Sequence, residues 1–376
     1  MNRLLYLILL LLIISCNSQE VQNSKSELNN NPLTAETQNL YNNLKELAKT
    51  NILFGHQDAV AYGIGWKGGN FNSDVYMVSG DYPAFYGWDI GHIDSIMNLD
   101  SVLFIEMKRW IREVYNRGGI NTIGWHGINL ASGGSSWDTS RVVNHILPGG
   151  KLNKEFNAQL DNVAEFFNEC ITEEGGKIPI IFRPFHEHNG SWFWWGNESC
   201  SNEEYKKLWI YTHNYLLKNK GVNNVLFSYS TDAFTGREDY LSRYPGDEYV
   251  DFLGWDDYKS IRTKDTRQVF LDRIAVINEL AKEKNKVGCL SETGYETLSK
   301  SDWFTQELLG GLKAAPATDH IAYLLVWRNA WKSHHYAPYP GHPSANDFIT
   351  FKQDSMIMFL SDLPNMYNDQ INIKKQ

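Results

Sequence analysis

Short, unbroken apolar runs recur along this chain, each followed by a polar loop and then by a stretch with helical spacing. They fall at 52–55, 82–86, 122–125, 178–182, 225–228, 251–254, 287–291 and 321–326. Runs this short, apolar without alternation, suit strands buried on both faces, as in a parallel sheet. Between them, apolar positions return at three- and four-residue intervals. Leu160, Val163, Ala164, Phe166 and Phe167 mark a helix over 153–172, and Val269, Phe270, Ile274, Ile277 and Leu280 mark one over 267–284. Further helices are expected over 201–215, with Ser201 as N-cap and Glu204 closing a capping box, and over 301–313. Eight strand–helix units without a tandem repeat or an internal linker predict one α/β domain. Its expected form is a (β/α)8 TIM barrel over residues 34–366, with 367–376 as a C-terminal tail.

The first residues follow another pattern. A basic start, Met1-Asn2-Arg3, precedes an apolar run over 4–14 that ends in Ser15-Cys16. The run is too short to span a bilayer as a mature helix. A small residue and then cysteine directly after such a run resembles a bacterial lipoprotein signal. Residues 1–15 would be the signal peptide, Cys16 the lipid attachment site, and 16–33, rich in Ser, Asn, Gln and Glu, a flexible polar tether. The expected location is the bacterial cell envelope, lipid-anchored on the periplasmic face or the cell surface, with the membrane met through the anchor only. An ordinary secretory signal, in which Cys16 has no role, is the alternative.

Composition narrows the classes. The 376 residues carry a net charge of −9, which argues against a nucleic-acid phosphate backbone as partner. With 13 Trp and 20 Tyr the aromatic content is high; many of these must be core, but a surplus of Trp suits a groove for a flat ligand. Beyond Cys16 the cysteines are Cys170, Cys200 and Cys289, so at most one internal bridge can form, with Cys170–Cys200 the open possibility. No Cys/His array has zinc spacing, and neither a calcium loop nor a glycine-rich phosphate loop occurs, so no metal and no cofactor are expected. The expected state is a monomer.

In such barrels chemistry gathers at the C-terminal ends of the strands. Residues closing the apolar runs include His126, Arg183, His186, Glu187, Asp256, Asp257, Tyr258, Glu292, Trp327 and Arg328, which would share one rim. Glu187 and Glu292 each follow a run. Two such carboxyl groups are what a glycosidase of either stereochemistry requires. Trp192, Phe193, Trp194 and Trp195 follow Glu187 closely, and flat aromatic faces stack on the apolar faces of sugar rings. Three tryptophans in four positions cannot all face one way, so at least one is structural. Glu187 and Glu292 could instead ligate a metal, but only His126 offers itself as a further ligand.

The segment Arg183-Pro184-Phe185-His186-Glu187-His188-Asn189-Gly190-Ser191-Trp192-Phe193-Trp194-Trp195-Gly196 resembles the acid/base motif of glycoside hydrolase family 26. Those enzymes are mostly retaining β-mannanases of clan A on (β/α)8 barrels. Ser291-Glu292-Thr293-Gly294 is similar to the nucleophile motif. Trp125-His126, Tyr244-Pro245-Gly246-Asp247, Asp256-Asp257-Tyr258 and Val326-Trp327-Arg328-Asn329 match other family segments in order, over about 36–360. The resemblance implies Glu187 as general acid/base and Glu292 as nucleophile. Tyr258 would hydrogen-bond the nucleophile, His186 would sit beside the acid/base, and Trp192 would stack on the aglycone sugar. Trp327 would floor the subsite of the cleaved sugar, with His126, Asp256 and Arg328 touching the glycone side. Arg183 would support the carboxylates, although an inner-barrel ion pair is an equal reading for it. The implied substrate is β-1,4-linked mannan, galactomannan or glucomannan, attacked internally or with release of mannobiose. Family members acting on mixed-linkage β-glucan or β-1,3-xylan, and a glycan-binding lipoprotein with a retired site, are the alternatives.

Overall fold

Eight strands, all parallel, pair in chain order and close on themselves in the computed structural model, which describes residues 32–369 and residue 371. The signal-like segment, Cys16 and the tether through residue 31 lie outside the described residues. The strands are β1 (Ile52–Gln57), β2 (Phe85–Asp89), β3 (Ile120–Trp125), β4 (Ile180–Pro184), β5 (Val225–Thr231), β6 (Phe252–Asp257), β7 (Val287–Thr293) and β8 (Ile321–Val326). Pairing of β8 with β1, from Leu53↔Tyr323 to His56↔Val326, completes the barrel. This is the expected (β/α)8 architecture. Most strands run past their apolar stretch into polar residues: β2 to Asp89, β5 to Thr231, β6 to Asp257 and β7 to Thr293. Those polar ends build the rim.

Helices wrap the outside. They include α1 (Ala35–Leu47), α2 (Phe104–Asn116), α3 (Asn153–Glu169), α4 (Asn202–Asn214), α5 (Arg267–Lys284) and α6 (Ala345–Lys352). The capping box forms as expected: the Glu204 amide donates to Ser201 Oγ, and the Ser201 amide donates to Glu204. The helix expected over 301–313 is not one regular α-helix. It is a π-helical segment, Phe304–Leu309, followed by a short α-helix, Gly310–Ala314. Cys170, Cys200 and Cys289 are buried and unbridged.

The core has two parts. Outside the barrel, strand side chains pack against the helices, as Trp88, Ile123, Phe182 and Phe227 do. Inside its base, Leu53, Phe85, Ile181, Leu226, Phe252 and Tyr323 meet Leu40, Leu44 and Leu47 of α1, which lies across the opening as a plug. Phe85 and Tyr323 stack at 4.0 Å there. Each leucine fully buried in this plug contributes about 1.5–3 kcal/mol. The same helix holds the C-terminal segment: Asn39 and Asn43 donate to the carbonyls of Tyr367 and Met366, and the Ile371 amide donates to Asn43 Oδ1. At its other side the Thr34 amide donates to the carbonyl of Asn223, just before β5.

Candidate active site

At the opposite end, a cavity of about 260 Å³ brings together His126, His186, Glu187, Trp192, Tyr258, Glu292 and Trp327, seven of the residues singled out from the sequence. Glu292 owes its place to an irregularity in β7. Asp256 pairs with Glu292 while the preceding Trp255 pairs with Leu290, and β8 also skips one residue of β7. The extra residue is Ser291, a β-bulge that turns a strand locally. As a result Ser291 Oγ reaches Asp256 at 2.7 Å and the adjacent Glu292 also faces inward.

Glu292 is held from two sides. Tyr258 Oη donates to Oε2 at 2.9 Å, and the Arg183 guanidinium donates to Oε1. Arg183 also donates to Asp256 at 3.0 Å and to Ser230 Oγ at 3.1 Å. One buried cation thus lies between two buried carboxylates. Burial disfavours its charge, but Asp256 and Glu292 outweigh that and raise its pKa. Breaking such a buried pair typically costs about 3–5 kcal/mol. Tyr258 keeps its proton, because burial and then the Glu292 charge both push its pKa up.

Glu187 stands across the cavity on the loop after β4. Phe185 and Glu187 adopt left-handed backbone, with φ of 49° and 51°. Each such residue costs on the order of 1–3 kcal/mol and persists where the surroundings over-determine it. Here the Glu187 amide donates to the carbonyl of Ser230 at 3.0 Å. Trp192 folds back so that its indole Nε1 donates to Glu187 Oε2 at 2.9 Å. Gly190 permits that fold, since a Cβ there would come within 2.3–2.5 Å of the Trp192 ring. Burial first, and then the negative charges of Asp256 and Glu292, raise the Glu187 pKa well above the ordinary glutamate range. Carboxylate oxygens of Glu187, Asp256 and Glu292 lie within 4.8 Å of one another. Such a trio could hold a cation, and Arg183 already supplies one to two of its members.

The aromatic segment divides as its spacing demands. Trp192 is 37% exposed in the cavity, whereas Trp194 and Trp195 are buried and donate to the carbonyls of Gly127 and His186. His126 bonds Asp89 through Nδ1 at 2.7 Å. Burial works against the charged imidazole, but Asp89 prevails and raises its pKa. His186 is the reverse case: burial, and then the charges of Arg183 and His126, hold it neutral.

Two placements differ from expectation. Asp256 has no exposed surface and its oxygens are taken by Arg183, Ser230 and Ser291, so it sits beneath the site and orients Arg183 instead of meeting a sugar. Arg328 does not line the carboxylate cavity. It pairs with Asp100 in a flanking cavity of about 430 Å³ that also includes Tyr62, Trp66 and Trp331. Phe193, noted only as part of the aromatic cluster, also lines the cavity, and three lining residues had not been singled out: Trp137, Arg262 and Tyr336. Trp137 is 50% exposed and stacks on His126 at 5.0 Å. A tryptophan directly after Gly133-Gly134-Ser135-Ser136 has no apolar neighbour to pack with, and that isolation was its available signal.

Known proteins resemble this chain in sequence and in fold. The family model described as glycosyl hydrolase family 26 matches residues 28–296. A mannan endo-1,4-beta-mannosidase of Bifidobacterium adolescentis is 35% identical over 323 residues, 79% of this chain, which spans 31% of that relative's length. The solved structure of a family 26 beta-mannanase from Bacteroides ovatus superposes with a TM-score of 0.85 at 42% identity, covering 89% of this chain and 98% of that one. A modular endo-beta-1,4-mannanase from Cellulomonas fimi gives 0.85 at 35% identity, covering 91% and 79%.

Proposed function

The chain belongs to glycosyl hydrolase family 26, and from that premise we propose that it hydrolyses β-1,4-mannosidic bonds of mannan with retention of configuration. The observation that carries the reading is the carboxyl pair. One carboxylate oxygen of Glu187 lies within 4.8 Å of one of Glu292, a close approach that favours the retaining arrangement, with its carboxyl groups ~5–5.5 Å apart, over the wider inverting one. Glu292, gripped by Tyr258 and Arg183, attacks the anomeric carbon. Glu187, kept protonated by its surroundings, gives its proton to the departing glycosidic oxygen. The glycosyl ester on Glu292 no longer carries a charge, so the push that raised the Glu187 pKa weakens. Glu187, now a carboxylate, takes a proton from water, whose oxygen attacks the same carbon and frees Glu292. Two inversions leave the β-anomer.

Mannan is the proposed substrate because its axial 2-hydroxyl needs partners of its own, and His126, oriented by Asp89, lines the same cavity as Trp327. A site that leaves such partners unpaired rejects the wrong sugar strongly. Digestion of mannan should be far more efficient than digestion of barley β-glucan, and NMR should show the β-anomer as first product. Comparable efficiency on the two polymers would overturn the sugar assignment, and initial α-anomer would overturn retention.

The proposal extends to anchorage. Ile14-Ser15-Cys16 after a short apolar run supports lipidation of Cys16 at the cell envelope. Cys16→Ala is expected to leave the membrane fraction or to stay unprocessed. Membrane association identical to that of the parent would remove the idea.

A further inference from the structure

The loop that carries Glu187 is held from behind by a cation that, among the described residues, makes no salt bridge. Arg243 follows the short helix Arg237–Leu241 and is 1% exposed. Among the described residues its hydrogen bonds go to neutral acceptors only. Nη1 donates to the carbonyls of His188 and Trp195, the latter at 2.9 Å. Nη2 donates to those of Gly196, Cys200 and Ser201, and Nε to Asn202 Oδ1 at 3.1 Å. The guanidinium also lies over the Tyr205 ring, 4.8 Å from its centre. Burying an unpaired charge is costly unless hydrogen bonds satisfy it. Here five carbonyls converge to do so, and all five belong to residues 188–201.

That segment is the continuation of the acid/base loop. On the near side of Glu187, Tyr205 Oη donates to the carbonyl of Phe185 at 3.0 Å, and Trp195 Nε1 to that of His186 at 2.7 Å. Carbonyls before and after Glu187 are therefore gripped. Arg243 touches one directly and carries the ring of Tyr205, which grips another. Phe185 and Glu187 stay in their left-handed conformations only under such restraint.

We propose that Arg243 is a positioning residue for the acid/base, fixing the backbone on both sides of Glu187, directly at His188 and through Tyr205 at Phe185. This rests on the glycosidase reading above. Arg243→Ala would take one donor from five carbonyls at once, although those of Gly196 and Ser201 keep backbone amide donors, so the informative variants are Arg243→Lys, which keeps the charge but cannot span the carbonyls, and Tyr205→Phe, which removes only the donor to Phe185. Both are compared with the parent on mannan and on a dinitrophenyl β-mannobioside, whose leaving group departs without acid help. For Arg243→Lys, kcat/KM on mannan should fall about 10²-fold, the scale of a 1 Å misplacement, against less than ~5-fold on the dinitrophenyl substrate. Tyr205→Phe should shift the same ratio in the same direction by a smaller factor. Equal losses on the two substrates, or none, would overturn the proposal.

A second readout needs no turnover. The Trp192 indole N–H resonance, assigned by its loss in Trp192→Phe, should move with pH as Glu187 ionises, and that movement should shrink in Arg243→Lys. An unchanged titration overturns the proposal. A parent that titrates normally but cleaves no β-mannoside overturns only the functional reading.

Discussion

Glu292→Ala is expected to end turnover on every β-mannoside, polymeric or aryl, with a loss on the order of 10⁶-fold, the scale on which removal of a covalent nucleophile registers. No neighbour can take over. Asp256, the other carboxylate on Arg183, has no exposed surface and lies beneath the floor. Folding should survive, because Arg183 keeps Asp256 and Ser230 as partners when Glu292 is gone. A single cooperative melting transition, lowered by the loss of one of the two carboxylate partners of Arg183, checks this. Added azide should enter from the face that Glu292 vacates and yield the α-mannosyl azide from an activated aryl substrate. Retention of more than about one part in 10² of the parent rate on that substrate without azide would deny Glu292 the nucleophile's role, since loss of a covalent nucleophile costs about 10⁶-fold.

The second large effect divides by substrate. Glu187→Ala should lower mannan cleavage by about 10²–10⁴-fold, the usual worth of a positioned acid. Its first step on a dinitrophenyl glycoside should be nearly intact, visible as a burst of dinitrophenolate followed by slow release of sugar. Azide should speed that release and give the β-mannosyl azide, because it attacks the ester on Glu292 from the side where Glu187 stood. The pH profile supplies a second measurement. Burial, Asp256 and Glu292 raise the Glu187 pKa, so the protonated, active form persists well above the ordinary value of about 4.3. Activity on mannan is then lost as pH rises through that elevated pKa. In Glu187→Ala this basic limb should disappear from the residual kcat/KM on mannan, the substrate that needs the acid. A limb that stays in place would assign it to another group.

Much of this site was readable from residues alone because chemistry and position coincide in a barrel. A glutamate just past an apolar run is at a strand end, and strand ends share a rim, so Glu187, Glu292, Tyr258 and Trp327 could be grouped without coordinates. Angular spacing required at least one of Trp192, Trp194 and Trp195 to be structural, and the family resemblance singled out Trp192 for the sugar. What escaped depended on partners across the fold. Asp256 reads like any rim carboxylate, and only the Ser291 bulge, which brings Ser291 Oγ onto it beside Arg183, shows that it lies underneath. Arg328 is next to Trp327 in the chain, yet its pairing with Asp100 draws it into the neighbouring cavity. Arg243 had no local signal, since its acceptors are carbonyls that every sequence possesses. The π-helical segment at Phe304–Leu309 was read as ordinary α-helix because its apolar residues recur at intervals that suit either winding.

The plug at the base of the barrel has a further consequence, for orientation. α1 gathers the Thr34 end of the described chain beside Asn223 and the Met366–Ile371 end against Asn39 and Asn43, on the face remote from the carboxylates. Whatever takes hold of the protein just before Pro32 therefore grips it by its back. A bead, a fused module or a surface attached there leaves the cleft turned outward. A stiff, insoluble polymer can then lie along the open mouth without first threading between enzyme and support.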